Sequence, residues 1–233
     1  MSDAHGGVLA HQFEDLEQQN ESAYVGMWAF ILSEFMFFGG ILGSYTVYRF
    51  LYPTAWIHGS QQLNEVLGGA NTAVLILSSF TMAMAVRAGQ MGDRKKICFW
   101  LIPTFVCGCF FLVVKYFEYT GKIAHGLFPN NNFHYDWLAT DPQGAGMDLP
   151  QPDVANVRLY FVIYFGATGL HALHMIIGLA LMGFVYAHAK EGRYSAKNHL
   201  GLECFGLYWH LVDLVWIFLF PLLYLLGKEL DLS

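Results

Sequence analysis

A glutamate lies in the middle of MWAFILSEFMFF, with no cation close to it in sequence. An ionisable side chain inside a membrane span is costly and marks a functional site by default, which makes Glu34 the sharpest chemical feature of the chain. It suits a proton-linked or lipid-linked carboxyl. It equally suits a neutral acid that hydrogen-bonds another helix and keeps a bundle in register. His171 and His174 stand three apart in TGLHALHMIIG, and His210 and Asp213 three apart in YWHLVDLVW, so each pair shares a helix face. Two imidazoles at that spacing, joined by a carboxylate from a neighbouring helix, can ligate a metal. The chain has no HExxH, no ExxH pair repeated on separate helices and no thiolate partner for these histidines. Interhelical hydrogen bonds are therefore the expected use, with Glu203 as a further partner and no metal. Lys115 and Glu118, again three apart, are spaced for an ion pair. The four cysteines, Cys98, Cys107, Cys109 and Cys204, lie in or beside apolar runs. Cys107 and Cys109 point roughly 200° apart on a helix, so they cannot clamp one metal and read as packing residues. No nucleophile constellation, phosphate loop or dinucleotide fingerprint is present.

The elements that must carry these side chains follow from composition. The 233 residues are 55% hydrophobic, 17% aromatic and 13% charged, against about 25% charge in a soluble domain. Mean hydropathy is +0.40. A globule of this size could not cover itself with so few charges, and disorder, collagen and disulfide-scaffold classes are excluded. A net charge of −6 argues against a nucleic-acid partner held by counterion release. Five segments, at about 24–50, 68–86, 97–119, 159–188 and 201–226, reach the roughly 20 apolar residues a span needs. They must be helices, because an unclosed sheet cannot cross lipid. The expected fold is all-α, a polytopic bundle of five transmembrane helices. A polar tail over 1–23 precedes a membrane domain over 24–227, and a short tail over 228–233 follows it. The connection at about 120–158 holds Pro129, Pro142, Pro150 and Pro152, four of the seven prolines, and is expected as an extracytoplasmic loop rather than a domain. Residues 1–22 contain no Lys or Arg and no apolar h-region, so they are not a signal peptide. With five spans, Arg87, Arg94, Lys95, Lys96, Lys190, Arg193 and Lys197 fall on the N-terminal side, and Arg49, Lys122, Arg158 and Lys228 on the other. This bias puts the N-terminus in the cytoplasm and the C-terminus outside. Gly39 and Gly43 form a GxxxG, and Gly166 and Gly169 share a face with Ala172. Such faces pack helices inside the bundle or seat another subunit.

Several segments together resemble subunit III of the haem-copper oxidases of the cytochrome c oxidase kind. They are GMWAFILSEFMFF (26–38), LNEVLGGANTAVLILSS (63–79), KYFEYTGKIAHGLFPN (115–130), TGLHALHMIIG (168–178) and YWHLVDLVWIFLF (208–220), and they touch all five spans. The chain looks like the five-helix form, which starts at the helix bearing the glutamate. In longer members two further helices enclose a lipid-filled V-shaped cleft, which here would need a neighbouring subunit to supply the missing wall. The 120–158 loop looks longer than the common pattern, and Lys115 stands where many longer members carry an uncharged amide. The resemblance implies a chain without a redox centre. It would pack on subunit I, which holds the haems and copper that reduce dioxygen, alongside subunit II, which usually holds the electron entry site, and a possible small subunit IV. It would bind structural phospholipids and support proton uptake. It also implies a multi-pass protein of the bacterial inner membrane, open to a respiratory supercomplex partner. By motif, Glu34 matches the buried glutamate of the family's SE motif, and Glu118 its EY glutamate. His171 and His174 match its two fourth-span histidines, and Glu203, His210 and Asp213 the polar set of its last span.

Competing expectations are a quinol oxidase subunit III and an accessory protein of a nitric oxide reductase. From other classes come a stand-alone di-metal membrane enzyme built on His171, His174 and His210, and a proton-coupled transporter using Glu34.

Overall fold

The computed structural model describes residues 12–130, 133–134, 153–196 and 198–225, and these residues contain helices and no strand. Six helices follow one another: α1 (Leu16–Leu51), α2 (Pro53–Gln61), α3 (Glu65–Gln90), α4 (Arg94–Ala124), α5 (Val154–Glu191) and α6 (Leu200–Phe220). A π-helical turn, Pro221–Leu225, continues α6. α1, α3, α4, α5 and α6 with its turn are long and apolar enough to cross a membrane. α1 has 36 residues and α5 has 38. At 1.5 Å per residue each exceeds about 50 Å, well beyond the roughly 30 Å hydrocarbon layer, so both must tilt or project.

Short polar residues set the helix starts by accepting first-turn N–H groups. Asp15 takes that of Gln18, Asn64 those of Val66 and Leu67, Asp93 that of Lys96, and Asp153 that of Ala155. At Asp93 the Lys96 ammonium, 3.0 Å away, together with that backbone bond, holds the carboxyl below the usual carboxylate range. α5 ends at Gly192, whose φ of +78° is the left-handed cap that glycine adopts without strain.

The first four spans are longer than their apolar stretches, because hydropathy marks the lipid-soluble part while the hydrogen-bond ladder runs on to the next cap; the last span, Leu200–Leu225, matches its expected length. The expected polar tail over 1–23 is therefore helical from Leu16 onward. Residues 1–11, most of the 120–158 loop and 226–233, including the C-terminal tail at 228–233, lie outside the described residues. α2 was not expected. Its nine residues, PTAWIHGSQ, are too few for a periodic signal, although Pro53 occupies a favoured first-turn position.

α3 and α4 pair across the short Met91–Asp93 turn, α6 lies on α3 and α5, and α5 lies on α4. Trp209 of α6 is fully buried as a wedge between two glycines. A Cβ on Gly108 of α4 would come within 3.0 Å of its ring, and one on Gly178 of α5 within 2.9 Å. Its indole N–H donates to Ser78 Oγ of α3 at 2.9 Å. Trp216, about two turns further along the same face of α6, donates to Thr72 Oγ1 at 3.0 Å.

The glycines expected to pack the bundle are not the ones that do so within the chain. A Cβ on Gly39, Gly43 or Gly166 would meet nothing within 4 Å, and one on Gly169 only the Tyr119 hydroxyl at 3.9 Å. A small-residue pattern reports a narrow helix face and says nothing of what stands opposite. α1 is the outlying helix, with only Phe38 and Tyr45 buried.

Candidate functional site

The polar side chains form three layers along the bundle. In the first, near the start of α1, Glu203 of α6 draws three elements together. Tyr24 of α1 donates to its carboxylate, and Gln90 of α3 donates to Oε1 at 2.7 Å. His199 Nε2 lies 3.3 Å from the same oxygen.

The middle layer holds the residues singled out in the sequence. Leu170 O accepts from His174 Nδ1 at 2.9 Å, which turns Nε2 toward α1. There it lies 3.1 Å from Glu34 Oε2, in ion-pair range but without the angles of a hydrogen bond. His171 does something different. It is fully buried, with ring centroids 5.3 Å from Phe111 and 5.2 Å from Trp216, and neither nitrogen has a hydrogen-bond partner. Three residues on a helix advance about 300°, and that offset of about 60° sends His171 into the core and His174 to its edge. His210 Nδ1 pairs with Ser79 Oγ of α3 at 2.7 Å. Asp213 is 1% exposed; the Ser79 hydroxyl stands near its carboxyl, but neither oxygen meets a protein donor in full hydrogen-bond geometry.

The third layer, at the opposite end, is built on Glu118 of α4. Lys115 Nζ donates to Glu118 Oε2 at 2.8 Å and to the Tyr224 hydroxyl at 2.6 Å. The hydroxyls of Tyr224 and Tyr164 donate to Glu118 Oε1 at 2.6 and 2.8 Å. The ammonium also stands 4.7 Å from the Trp216 ring centroid, a cation–π distance. Lys122, a turn further, donates to Gln62 O at 2.8 Å and ties α4 to the end of α2. The π-helical turn is gripped from two more sides. Tyr45 of α1 donates to Leu222 O, and Tyr160 of α5 donates to Leu223 O at 2.8 Å.

The spacing-based pairs thus divide. Lys115 and Glu118 meet as expected. Glu203 bonds across helices, but with Tyr24 and Gln90, and with His199 of its own helix cap close by, rather than with the mid-membrane histidines. Among the described residues no three His, Cys, Asp or Glu side chains gather where they could hold one metal ion. The partners Tyr24, Ser79, Gln90, Tyr164 and Tyr224 were missed, since lone hydroxyls and amides far apart in sequence carry no local signal.

Comparison with known proteins gives these layers a context. The family model described as Cytochrome c oxidase subunit III matches residues 154–228, which carry α5 and α6 and with them His171, His174, Glu203, His210 and Asp213. The protein of Synechocystis sp. named "Cytochrome c oxidase subunit 3" is 31% identical over 202 residues, which cover 86% of this chain and 74% of that one. The chain belongs to the cytochrome c oxidase subunit III family. Two other members are 28% and 29% identical. They are the protein of Thermostichus vulcanus (88% of this chain, 87% of that one) and the probable subunit 3 of Mycobacterium bovis (94% and 95%). As a subunit III of a haem-copper oxidase, the chain is a multi-pass membrane protein. It works as one part of an oxidoreductase complex, in association with other oxidase subunits. The three polar layers are therefore features of an oxidase subunit III.

Proposed function

We propose that this chain is a non-catalytic subunit of a proton-pumping terminal oxidase. It carries no redox centre and stabilises subunit I, beside subunit II and the haem and copper that those subunits hold. One observation supports this reading above the others. These ionisable side chains are engaged within the protein, Glu203 by Tyr24 and Gln90 across helices, Glu34 by His174 across helices, and Lys115 by Glu118 within α4 with Tyr164 and Tyr224 reaching in from neighbouring elements, rather than aimed at a common ligand. Such pairs place helices and leave the chemistry to a neighbour. The N-terminus lies in the cytoplasm and the C-terminus outside, following the Lys and Arg distribution.

The outward face of α1, with Gly39, Gly43 and the exposed Phe35 and Met36, is narrow and apolar and suits a helix of subunit I. Between α1, α5 and α6 an apolar cleft of about 490 Å³, lined by Phe30, Ile177, Leu181 and Phe184 among others, has the size and chemistry for a phospholipid acyl chain. The test is to purify the tagged chain in mild detergent and record an optical spectrum and metal content. Haem should arrive only with larger co-purified subunits. Stoichiometric iron, copper or zinc on the isolated chain would refute the reading.

Glu34 supports proton uptake in this proposal. In Glu34→Gln the amide fills the same space beside His174 but cannot carry the proton. Assembly and turnover near neutral pH should match the parent, and turnover should fall faster as pH rises and protons become scarce. An unchanged pH profile of the assembled variant would leave Glu34 a purely structural part.

A further inference from the structure

On the side formed by α1, α3 and α6 two clefts meet. The first, about 480 Å³, opens at the end of the bundle where α1 begins and is rimmed by Tyr24, Arg87, Gln90 and Glu203. The second, about 360 Å³, runs deeper and is lined by Trp28, Ser79, His210 and Asp213 among apolar neighbours. Leu207 and His210 belong to both, so the imidazole stands where one cleft passes into the other. Ser79 Oγ, 2.7 Å from Nδ1, fixes the ring there.

Asp213 lies ten residues along α6 from Glu203. That is roughly 15 Å, about half the hydrocarbon thickness. The Ser79 hydroxyl, engaged with His210, stands near the carboxyl but not in full hydrogen-bond geometry with it, and no lysine or arginine lines its cleft. The titratable groups that face it are His210 on its own helix and Cys107 of α4. A bare carboxylate at that depth is untenable. It requires a proton, water donors, or both, and the polar strip of Ser79, His210 and Asp213 on otherwise apolar walls gives bridging waters their partners. Beyond Asp213 the buried Trp216 and Leu219 close the route.

We propose that the two clefts form a hydrated half-channel which carries protons from the Tyr24–Glu203 rim past His210 to Asp213. The ligand is water with its proton. A hydronium gives its proton to the carboxylate, leaving a carboxylic acid and a water, and no electron moves. Because the far side is closed, Asp213 loads and unloads from the same face and does not conduct across the membrane.

Infrared difference spectroscopy of the assembled oxidase in H2O and D2O tests this. The carboxylic C=O band of Asp213, identified by its loss in Asp213→Asn, should shift on transfer to D2O within the time of buffer exchange. His210→Leu should slow that shift several-fold. If Asp213→Asn fails to assemble, Asp213→Glu carries the test, because it keeps the acid and moves the band. A band that stays unshifted in D2O for hours, or no carboxylic band at any pH, would overturn the half-channel. Haem co-purification bears on the assembly reading and the carboxyl band on this one, so either can fail alone.

Discussion

Replacing Lys115 by methionine should destabilise the bundle by about 3–5 kcal/mol, the usual cost of breaking a buried ion pair from one side. The side chains of Lys115 and Glu118 are 4% and 5% exposed, so water cannot take over from either partner. Methionine keeps most of the volume and the contact with Trp216. The effect therefore reports the stranded Glu118 carboxylate, left with only the Tyr164 and Tyr224 hydroxyls as direct partners. Tyr224 sits in the π-helical turn, so the damage should spread to the clasp that ends α6. Adding Glu118→Gln to Lys115→Met should recover most of the loss, because an amide oxygen still accepts from both phenols and no charge remains unpaired. The measurement is thermal retention of this subunit in the purified oxidase for the two single variants and the double. Equal loss in Lys115→Met and in the double variant would mean that the charge pair is not what holds this end together.

Trp209→Ala should be nearly as severe, at about 3 kcal/mol or more. The ring is fully buried and touches three helices at once, against Gly108, against Gly178 and through its N–H to Ser78. Glycines on two facing helices leave the slot that the indole fills. In lipid the helices are held by packing and hydrogen bonds rather than by hydrophobic expulsion, so both losses count in full. Trp28→Ala is the matched control. That ring is 62% exposed at the mouth of the cleft between α1 and α6, and its loss should change stability by no more than about 0.5 kcal/mol. Thermal denaturation of the two variants should separate them clearly, and equal losses would remove the wedge from the account.

Much of this was legible because membrane folding has a coarse grammar. Runs of about 20 apolar residues can satisfy their backbone only as helices, which gives five spans and an all-α bundle directly from composition. An acid or imidazole within such a run stands out against its neighbours, which is how Glu34, His171, His174, His210 and Asp213 were found. Lys115 and Glu118 could be paired because both lie on one helix, where spacing alone sets distance. Tyr24 with Glu203, Ser79 with His210, and Tyr164 and Tyr224 with Glu118 could not be paired. Each joins residues over forty to nearly two hundred positions apart, and hydroxyls are too common to mark themselves.

The chain's sequence by itself determined the number of membrane spans, their lipid-facing character and the list of polar groups that must be reconciled inside them, because each depends only on local composition and helical period. Tertiary structure alone decided which histidine turns inward and which meets Glu34. It decided that Gly108 and Gly178 seat a tryptophan while Gly39 and Gly43 face outward, and that Asp213 stands at the foot of a cleft. The physical reason is that a helix fixes the angle between its own side chains, whereas what stands opposite each of them depends on how the separate helices rotate and slide when they pack.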